Sequence, residues 1–323
     1  MSALLAVRGL RVEYAVRAGP LGRQRATIRA VDGVDLAIEP GETLGLVGES
    51  GCGKTTLGNA VLGIVRPTGG TVVFEGTDLA GLDADGLRRA RRHMQMIFQD
   101  PDASLNPRMR VGDSIGEPLL VRGLLRGAAL RARVASLLEQ VGLDAASHAR
   151  YPHEFSGGQR QRVGIARALA LEPRLVVCDE PVSALDVSVR SQILNLLVDL
   201  QRRLGMAYLF ISHDLSVVRH VSDRVAVMYL GRVVEEAPRD ALFARPLHPY
   251  TEALMSAIPV PDPGRQRGRA AIVLQGELPR PTEAPGGCPF HNRCPLVADV
   301  CRRVTPVLEE KAPAHFAACH LRP

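Results

Sequence analysis

The sequence predicts an α/β fold with a largely parallel core sheet. Short apolar runs typical of buried strands occur at 43–48, 174–179, 207–212 and 224–230. Helical patterns separate the last three of them, and in 189–204 the apolar residues recur at helical spacing and form one stripe. Strands that alternate with helices in this way indicate a parallel sheet.

The first third of the chain extends this pattern. In residues 4–14 and 28–38, apolar and polar residues alternate as they do in strands. The Gly/Arg-rich stretch 18–26 between them predicts an exposed loop. A helix is predicted at 54–64 and a further strand at 71–75. These segments precede the three strand–helix repeats of the core.

Two later segments depart from the alternation. Residues 111–150 are mostly helical by pattern, most clearly at 128–141, and predict an inserted helical subdomain. The prolines at 259, 261 and 263 are typical of a linker, and a cysteine-rich tail follows them.

Composition describes an ordinary globular chain of 323 residues, with 46% hydrophobic and 23% charged residues. No apolar run approaches the roughly 18 residues of a membrane span, and no signal peptide is evident, so a cytoplasmic protein is expected. Aromatic residues make up only 4%, which argues against a stacking surface for nucleic acid. The net charge is +6, and the arginines at 88, 89, 91 and 92 predict a solvated helix face.

A glycine-rich segment lies between a predicted strand and a predicted helix. Residues 48–55 read Gly-Glu-Ser-Gly-Cys-Gly-Lys-Thr, which matches G-x-x-x-x-G-K-[ST] in the context that this pattern requires. The glycines let backbone N–H groups face a phosphate, and the helix adds the positive end of its dipole. Lys54 supplies a charge for the β- and γ-phosphates, and Thr55 offers a hydroxyl to Mg²⁺. The segment therefore predicts a phosphate-binding loop.

Two acidic residues follow the apolar run 175–178. They stand at the predicted carboxyl end of a strand, the edge at which open α/β sheets bind ligands. Asp179 fits a carboxylate that organises Mg²⁺, and Glu180 fits a general base that polarises the attacking water. Together with the glycine-rich loop, they predict a P-loop nucleoside triphosphatase.

The segment Phe155–Gln159 precedes a helical pattern and reads Phe-Ser-Gly-Gly-Gln. Ser156 and Gln159 have the spacing of a capping box, so one interpretation is a helix start alone. The other is an anion site made of a hydroxyl, glycine N–H groups and a helix N-terminus. The segment resembles the signature motif of the ABC ATPase family, with Phe155 in place of the more common leucine.

The resemblance implies roles for further residues, which occur in the family's order. Gln99 resembles the glutamine that senses Mg²⁺ and contacts the transmembrane subunit, and Ser183–Asp186 resembles the loop that couples two active sites. His213 resembles the switch histidine that contacts the γ-phosphate. Tyr14 resembles the aromatic residue that stacks on adenine, although a half-buried strand residue is the other interpretation.

The resemblance implies catalytic roles for Glu180, His213 and Gln99, and Mg²⁺ ligands at Thr55, Gln99 and Asp179. The implied nucleotide contacts are Tyr14, Gly48, Ser50, Gly51, Cys52, Gly53, Lys54, Thr55, Thr56, Gln99, Ser156, Gly157, Gly158, Gln159, Asp179 and Asp186.

The same resemblance implies the P-loop fold of the ABC ATPases. Besides the mostly parallel sheet, that fold has an antiparallel β subdomain and an inserted helical subdomain, here at about 100–155. The nucleotide-binding domain is expected in 1–258 and a cysteine-rich C-terminal extension in 259–323. In this family two cassettes pair head to tail, with ATP between the glycine-rich loop of one and the signature of the other.

Two segments resemble one group within the family, the oligopeptide/dipeptide/nickel importers. These are the extended stretch 99–107 and the His-Pro-Tyr-Thr element at 248–251. The resemblance implies an ATPase that energises import of di- and oligopeptides, and the Gly-Cys-Gly-Lys-Thr of 51–55 is more similar to the F-type paralogue. A related importer (of nickel, glutathione or another solute) and a non-transport ABC ATPase are the alternatives.

That importer group implies specific partners and a location. The implied partners are two membrane permeases, a paralogous ATPase in a heterodimer (with a homodimer as the alternative) and an extracytoplasmic solute-binding protein. No nucleic acid is expected. The chain is then expected to lie peripherally at the cytoplasmic face of the cell membrane.

The tail carries cysteines at 288, 294, 301 and 319. Four thiolates in a reducing compartment suit an iron–sulfur cluster or Zn²⁺, and the C-x₂₋₄-C pairs that are usual for zinc are missing. The resemblance implies a [4Fe–4S] cluster on Cys288, Cys294, Cys301 and Cys319. With zinc instead, His291, His315 and His320 are alternative ligands.

Overall fold

A computed structural model of the chain describes residues 3–18, 24–258, 272–274, 279 and 285–322. The chain divides into two compact units. The first unit comprises 1–37, 43–80 and 212–323, and the second comprises 38–42 and 81–211. The predicted linker prolines at 259, 261 and 263 lie outside the described residues, and the predicted domain boundary beside them stays a prediction.

The described strands, in chain order, are β1 Leu5–Ala18, β2 Gln24–Ile38, β3 Thr43–Val47, β4 Gly69–Phe74, β5 Thr77–Asp78, β6 Met94–Ile97, β7 Leu175–Asp179, β8 Ala207–Ser212, β9 Arg224–Tyr229, β10 Arg232–Pro238, β11 Glu309–Ala312 and β12 His315–Ala317. The described α-helices are α1 Lys54–Val61, α2 Ala84–Ala90, α3 Pro101–Ser104, α4 Val111–Val121, α5 Gly127–Gln140, α6 Gly157–Leu169, α7 Val187–Leu204, α8 Leu215–Val221, α9 Arg239–Ala244, α10 Pro249–Ser256 and α11 Asp299–Arg303.

The predicted strands and helices are confirmed, and the prediction for 18–26 is partly wrong. Strand β1 runs on to Ala18 and β2 already begins at Gln24, so only 19–23 fall between them, outside the described residues. The longer strands have a simple cause. Neighbouring strands bond through their main chains, so pairing can continue along residues that lack an apolar alternation.

In the first unit, one antiparallel sheet has the order β2-β1-β4-β5. Within β1, the alternation of buried side chains switches from odd to even positions. Leu5 and Val7 are buried first, and Leu10 and Val12 are buried after them. The register against β4 shifts at the same point, where Gly9 takes a φ of 54°. A bulge therefore keeps the apolar side chains of β1 on one face, because each inserted residue reverses the alternation.

The first unit also contains a run of strands in the order β3-β9-β10-β12-β11. Strand β3 is parallel to β9, whereas the other pairs are antiparallel. Strands β11 and β12 belong to the cysteine-rich tail, and β12 pairs with β10 at Glu235 and Glu236. The tail is thus part of the sheet that carries β3, the strand before the glycine-rich loop.

The second unit has a fully parallel run, β8-β7-β6, and most of the helices. Every residue of β7 and β8 is buried, which explains their continuous apolar sequences. Helix α6 packs against α3, α4, α5 and α7. The helical segment predicted at 111–150 is confirmed as α4, α5 and a 3₁₀ turn at Ala145–Ala149. None of the described helices is both long and apolar enough to cross a membrane.

Candidate functional site

The glycine-rich loop follows β3 directly, and two of its glycines are required by close backbone contacts. Gly48 has a φ of 158°, and a Cβ there would lie 2.1 Å from the carbonyl oxygen of Met228. Gly53 has a φ of 106°, and a Cβ there would lie 1.9 Å from the carbonyl oxygen of Ala30. Both distances are far below contact, so only glycine fits at either position.

Lys54 begins α1 and lies beneath the loop with only 5% of its surface exposed. Its Nζ donates to the carbonyl oxygens of Gly48 (2.7 Å) and Glu49 (2.9 Å). Gly53 caps the helix without a side-chain hydrogen bond, and the first turn contains no acidic residue. The helix N-terminus thus combines an ammonium group with N–H groups that no acidic side chain competes for, which suits a phosphate.

The other loop residues divide by exposure. Ser50, Gly51 and Thr55 are exposed, and Thr56 is half-buried. Cys52 is 1% exposed, and burial raises the pKa of its thiol even though the Lys54 charge opposes that shift. The Cys52 side chain is therefore a neutral filler beneath the loop, and its contribution to a bound phosphate can come only through its main chain.

Glu49, the second residue of the loop, has two partners from the C-terminal part of the chain. Its main-chain N–H donates to the hydroxyl oxygen of Tyr250 over 2.9 Å. Its carboxylate accepts from Nη1 of Arg293, at 2.9 Å to one oxygen and 3.1 Å to the other. Tyr250 belongs to the predicted His-Pro-Tyr-Thr element, and Arg293 lies between two of the tail cysteines.

An aromatic cluster supports these two partners. The ring of Phe290 lies 5.3 Å from Tyr229, 5.5 Å from Tyr250 and 5.6 Å from His248, centroid to centroid. Burial lowers the pKa of His248 to about 4, so its ring is neutral near pH 7 and Nδ1 accepts the Tyr250 N–H over 3.1 Å. The cluster holds the start of α10 against the Phe290 segment of the tail.

In the second unit, Asp179 is the last residue of β7 and Glu180 follows it directly. Asp179 is 6% exposed, and Glu180 has a φ of 47°, an uncommon left-handed conformation for a residue other than glycine. Nε2 of Gln99 donates to the Glu180 carboxylate over 3.2 Å. The structure thus brings Gln99 and Glu180 together, and it stores backbone strain at the predicted base, as functional sites often do.

The signature segment forms the capping box that its sequence predicts. Ser156 Oγ accepts the Gln159 N–H over 3.3 Å, and Gln159 Oε1 accepts the Ser156 N–H over 2.9 Å, so the capping box is confirmed. Ser156 and Gln159 are exposed at the start of α6, whose first turn contains no acidic residue. Gly158 is buried against α7. A Cβ there would lie 2.4 Å from Cγ1 of Val189, so the close approach requires glycine.

The remaining predicted nucleotide residues are at surfaces. Asp186 is exposed at the N-cap of α7 and makes no side-chain capping bond. Gly157 lies at the start of α6, where a Cβ would be 3.7 Å from Leu185 of the predicted coupling loop. His213 is exposed after β8, and Tyr14 is 40% exposed on β1.

The four tail cysteines are free thiols that lie within electrostatic reach of one another. Burial, reinforced by the thiols of Cys301, Cys294 and Cys319, raises the pKa of Cys288 to about 11, and burial also raises that of Cys294. In the part of the chain that the structure describes, no group of three or more His, Cys, Asp or Glu side chains has the spacing of a metal site. The four thiols are gathered in one region of the tail.

Each of the three histidines predicted as alternative metal ligands makes a polar contact through one ring nitrogen. Nε2 of His315 lies 2.7 Å from a Glu235 oxygen, and Nε2 of His320 lies 2.9 Å from the carbonyl oxygen of Val304. Nδ1 of His291 lies 2.8 Å from the carbonyl oxygen of Cys288. Each contact uses only one ring nitrogen of its histidine. The four thiols form a sulfur-rich donor set, which suits an iron–sulfur cluster or zinc.

Sequence reasoning did not find the support of the loop by Tyr250, Arg293 and Phe290. A usable signal was present: an acidic residue inside a phosphate-binding loop requires a cation to neutralise it. The sequence contains 40 Lys and Arg residues, and no pattern indicates which of them is that cation.

The fold and these sites define a P-loop ATPase with an ABC signature. Residues 31–183 match the family model described as ABC transporter, and 234–301 match the C-terminal region of oligopeptide/dipeptide transporters. The chain is 53% identical to a probable peptide ABC transporter ATP-binding protein of Sinorhizobium fredii, over 99% of this chain and 90% of that protein. It is 49% identical to the oligopeptide transport ATP-binding protein AppF of Bacillus subtilis, over 98% of this chain and 97% of that protein.

Solved structures give the same assignment. The cassette cbiO1 of Clostridium perfringens is 29% identical with a TM-score of 0.65, over 76% of this chain and 92% of that one. The ATP-binding cassette MJ0796 was solved as a dimer in a post-hydrolysis state with ADP and phosphate. It is 30% identical with a TM-score of 0.64, over 73% of this chain and 98% of that one. The chain belongs to the ABC transporter family as an ATP-hydrolysing, ATP-binding subunit.

Proposed function

We propose that this chain hydrolyses ATP to energise an ABC importer of di- and oligopeptides, as a peripheral subunit at the cytoplasmic face of the cell membrane. The observation that carries the peptide class is the match of 234–301 to the C-terminal region of oligopeptide/dipeptide transporters. Relatives about half identical along nearly their whole length are named for peptide transport. The described part of that region forms β10, α9, α10 and the segment that supports the glycine-rich loop.

The roles of individual residues follow from their chemistry. The loop 48–55 wraps the triphosphate, and Lys54 exchanges its carbonyl partners for phosphate oxygens. Thr55, Asp179 and Gln99 would offer oxygen ligands to Mg²⁺, which would neutralise phosphate charge. These donors are a hydroxyl, a carboxylate and an amide oxygen, which is the oxygen set that Mg²⁺ prefers.

Hydrolysis uses two further side chains. Glu180 accepts a proton from the attacking water, and Gln99 orients the Glu180 carboxylate through the 3.2 Å hydrogen bond. His213 contacts the γ-phosphate, and Tyr14, with 40% of its surface exposed, stacks on adenine.

We also infer that the working unit is a head-to-tail pair of cassettes. Each chain contributes one glycine-rich loop and one signature, and the exposed capping box at Ser156–Gln159 offers its helix N-terminus to the triphosphate of the opposing cassette. The partners are a paralogous ATPase, with this chain as the F-type member, two permeases and an extracytoplasmic solute-binding protein. ATP closes the pair and hydrolysis opens it, which drives the permeases between two states.

Peptide import is tested by ATPase activity in the full complex. The chain is assembled with the permeases and ATPase paralogue with which it co-purifies. The binding protein is loaded with a tripeptide that has only α-peptide bonds, with Ni²⁺, or with glutathione, whose first peptide bond is a γ-glutamyl bond. Turnover stimulated by the peptide-loaded protein supports the proposal. Stimulation only by Ni²⁺ or glutathione assigns a related importer, and co-purification with nucleic acid in place of permeases contradicts a transport role.

The tail cysteines are proposed to hold a [4Fe–4S] cluster, with Zn²⁺ as the alternative group. Cys288, Cys294, Cys301 and Cys319 would be its ligands, and its thiolate bonds would offset the burial that raises the pKa of Cys288. Protein purified without oxygen is expected to be brown, with broad visible absorption and iron and sulfide in equal amounts. Colourless protein with stoichiometric zinc would contradict the cluster, and C301S should remove the colour.

A further inference from the structure

We propose that Arg293 is a positioning residue for nucleotide binding, which neutralises Glu49 inside the phosphate-binding loop while Tyr250 holds the main chain of the same residue. The proposal rests on the proposed ATP-binding function and deepens it. It assigns to the C-terminal transporter region a specific task at the nucleotide site, through contacts that all lie within the first unit.

The ion pair between Arg293 and Glu49 is well sheltered. One guanidinium nitrogen, Nη1, lies 2.9 Å and 3.1 Å from the two carboxylate oxygens. The Arg293 side chain is 9% exposed and that of Glu49 is 27% exposed. Pairs at this depth are screened by solvent much less than surface pairs, so the attraction between the two charges is stronger than that of an exposed pair.

A carboxylate at this point in the chain opposes the function of the loop. Glu49 is next to Gly48 in the stretch that wraps a triphosphate, and two like charges at short range repel. Lys54 lies close by, but its Nζ is bonded to the carbonyl oxygens of Gly48 and Glu49, and phosphate oxygens are its proposed partners when nucleotide binds. Among the described residues, Arg293 is the cation that pairs with the Glu49 carboxylate.

Tyr250 acts on the same residue in a different way. Its hydroxyl oxygen accepts the Glu49 N–H over 2.9 Å, which fixes the peptide orientation at the start of the loop. Tyr250 is completely buried, and its ring lies 4.7 Å from that of Tyr229. The contact is therefore rigid, and it involves no charge.

The fold of the tail presents Arg293 to the loop. Phe290 is 1% exposed within the aromatic cluster, and its carbonyl oxygen accepts the Arg293 N–H over 3.0 Å. The guanidinium carbon of Arg293 lies 6.0 Å from the Tyr229 ring centroid. Because Arg293 follows Phe290 in a tight turn, any change that releases Phe290 also removes the cation from Glu49.

The test is a double-mutant cycle on Mg-ATP affinity, measured by equilibrium binding of a fluorescent ATP analogue to the full chain. R293A is expected to weaken binding by about tenfold, which corresponds to ~1.4 kcal/mol. The second half of the cycle uses the E49Q chain as its reference. There, R293A should weaken Mg-ATP binding by less than about twofold, because no carboxylate remains to be neutralised. R293K keeps the charge and should restore most of the affinity.

Y250F is the matched control, because it removes a neutral contact to the same residue. Its cost in affinity should be equal with and without E49Q. Equal costs of R293A in both backgrounds, or unchanged affinity of R293A, would overturn the proposal. Thermal unfolding of each variant separates misfolding from weak binding. If R293A does not fold, R293K still tests whether a positive charge at position 293 maintains the affinity. If the wild-type chain itself fails to bind Mg-ATP, it is the proposed function that fails.

Discussion

Replacing Glu180 with glutamine should reduce steady-state ATP turnover by roughly 100- to 10,000-fold, the usual contribution of a general base. Glutamine keeps the size and hydrogen-bonding capacity of the side chain but cannot accept a proton from water. ATP binding should persist, because the loop 48–55 holds the phosphates without this carboxylate. Turnover is measured by phosphate release, and binding by the affinity for labelled ATP.

The chain provides a matched control for E180Q. Glu172 also has a positive φ, 53°, and its carboxylate pairs with Arg133 at 2.9 Å. E172Q repeats the same chemical change in the same backbone conformation, and near wild-type turnover is expected. Normal turnover in E180Q would show that Glu180 is not the base. Loss of both turnover and binding in E180Q would indicate that the carboxylate supports the nucleotide site itself.

Replacing Gly53 with alanine should abolish nucleotide binding at concentrations that saturate the wild-type chain. The added Cβ would lie 1.9 Å from the Ala30 carbonyl oxygen, so either β2 or the loop must move. Gly53 also caps α1, and a shift there moves the N–H groups and the Lys54 ammonium that bind phosphate. Equilibrium binding of labelled ATP measures the loss.

The control for G53A separates backbone strain from the steric clash. Gly76 has a φ of 76°, and a Cβ there would meet no atom within 4 Å. G76A should lower the free energy of unfolding by about 1 kcal/mol, the cost of a positive φ, and leave ATP affinity intact. Wild-type ATP affinity in G53A would contradict the tight approach of the loop to Ala30.

Local patterns were sufficient for most of the fold. The apolar runs at 43–48, 174–179 and 207–212 are strands because burial on both faces requires continuous apolar sequence, and this signal lies within each segment. The pairing of β12 with β10 is different. It depends on partners far along the chain, and no local pattern reports it.

The functional residues divide in the same way. The glycine-rich loop, the acids at 179–180 and the capping box of Ser156 are recognisable from sequence, because phosphate binding and helix capping place particular residue types at fixed short spacings. The hydrogen bond between Gln99 and Glu180 joins residues 81 positions apart. Only the parallel pairing of β6 with β7 brings them to one edge of the sheet.

By itself, the sequence predicted the class of protein, the phosphate-binding loop and the candidate residues for hydrolysis, since each motif depends on short-range spacing. Only the tertiary structure decided that Arg293 and Tyr250 support Glu49, across separations of 244 and 201 residues. The physical reason is that a charge in a loop can be neutralised by any cation that folding brings near. Which cation arrives is decided by the packing of Phe290 into the aromatic cluster with Tyr229 and Tyr250, which are distant in sequence.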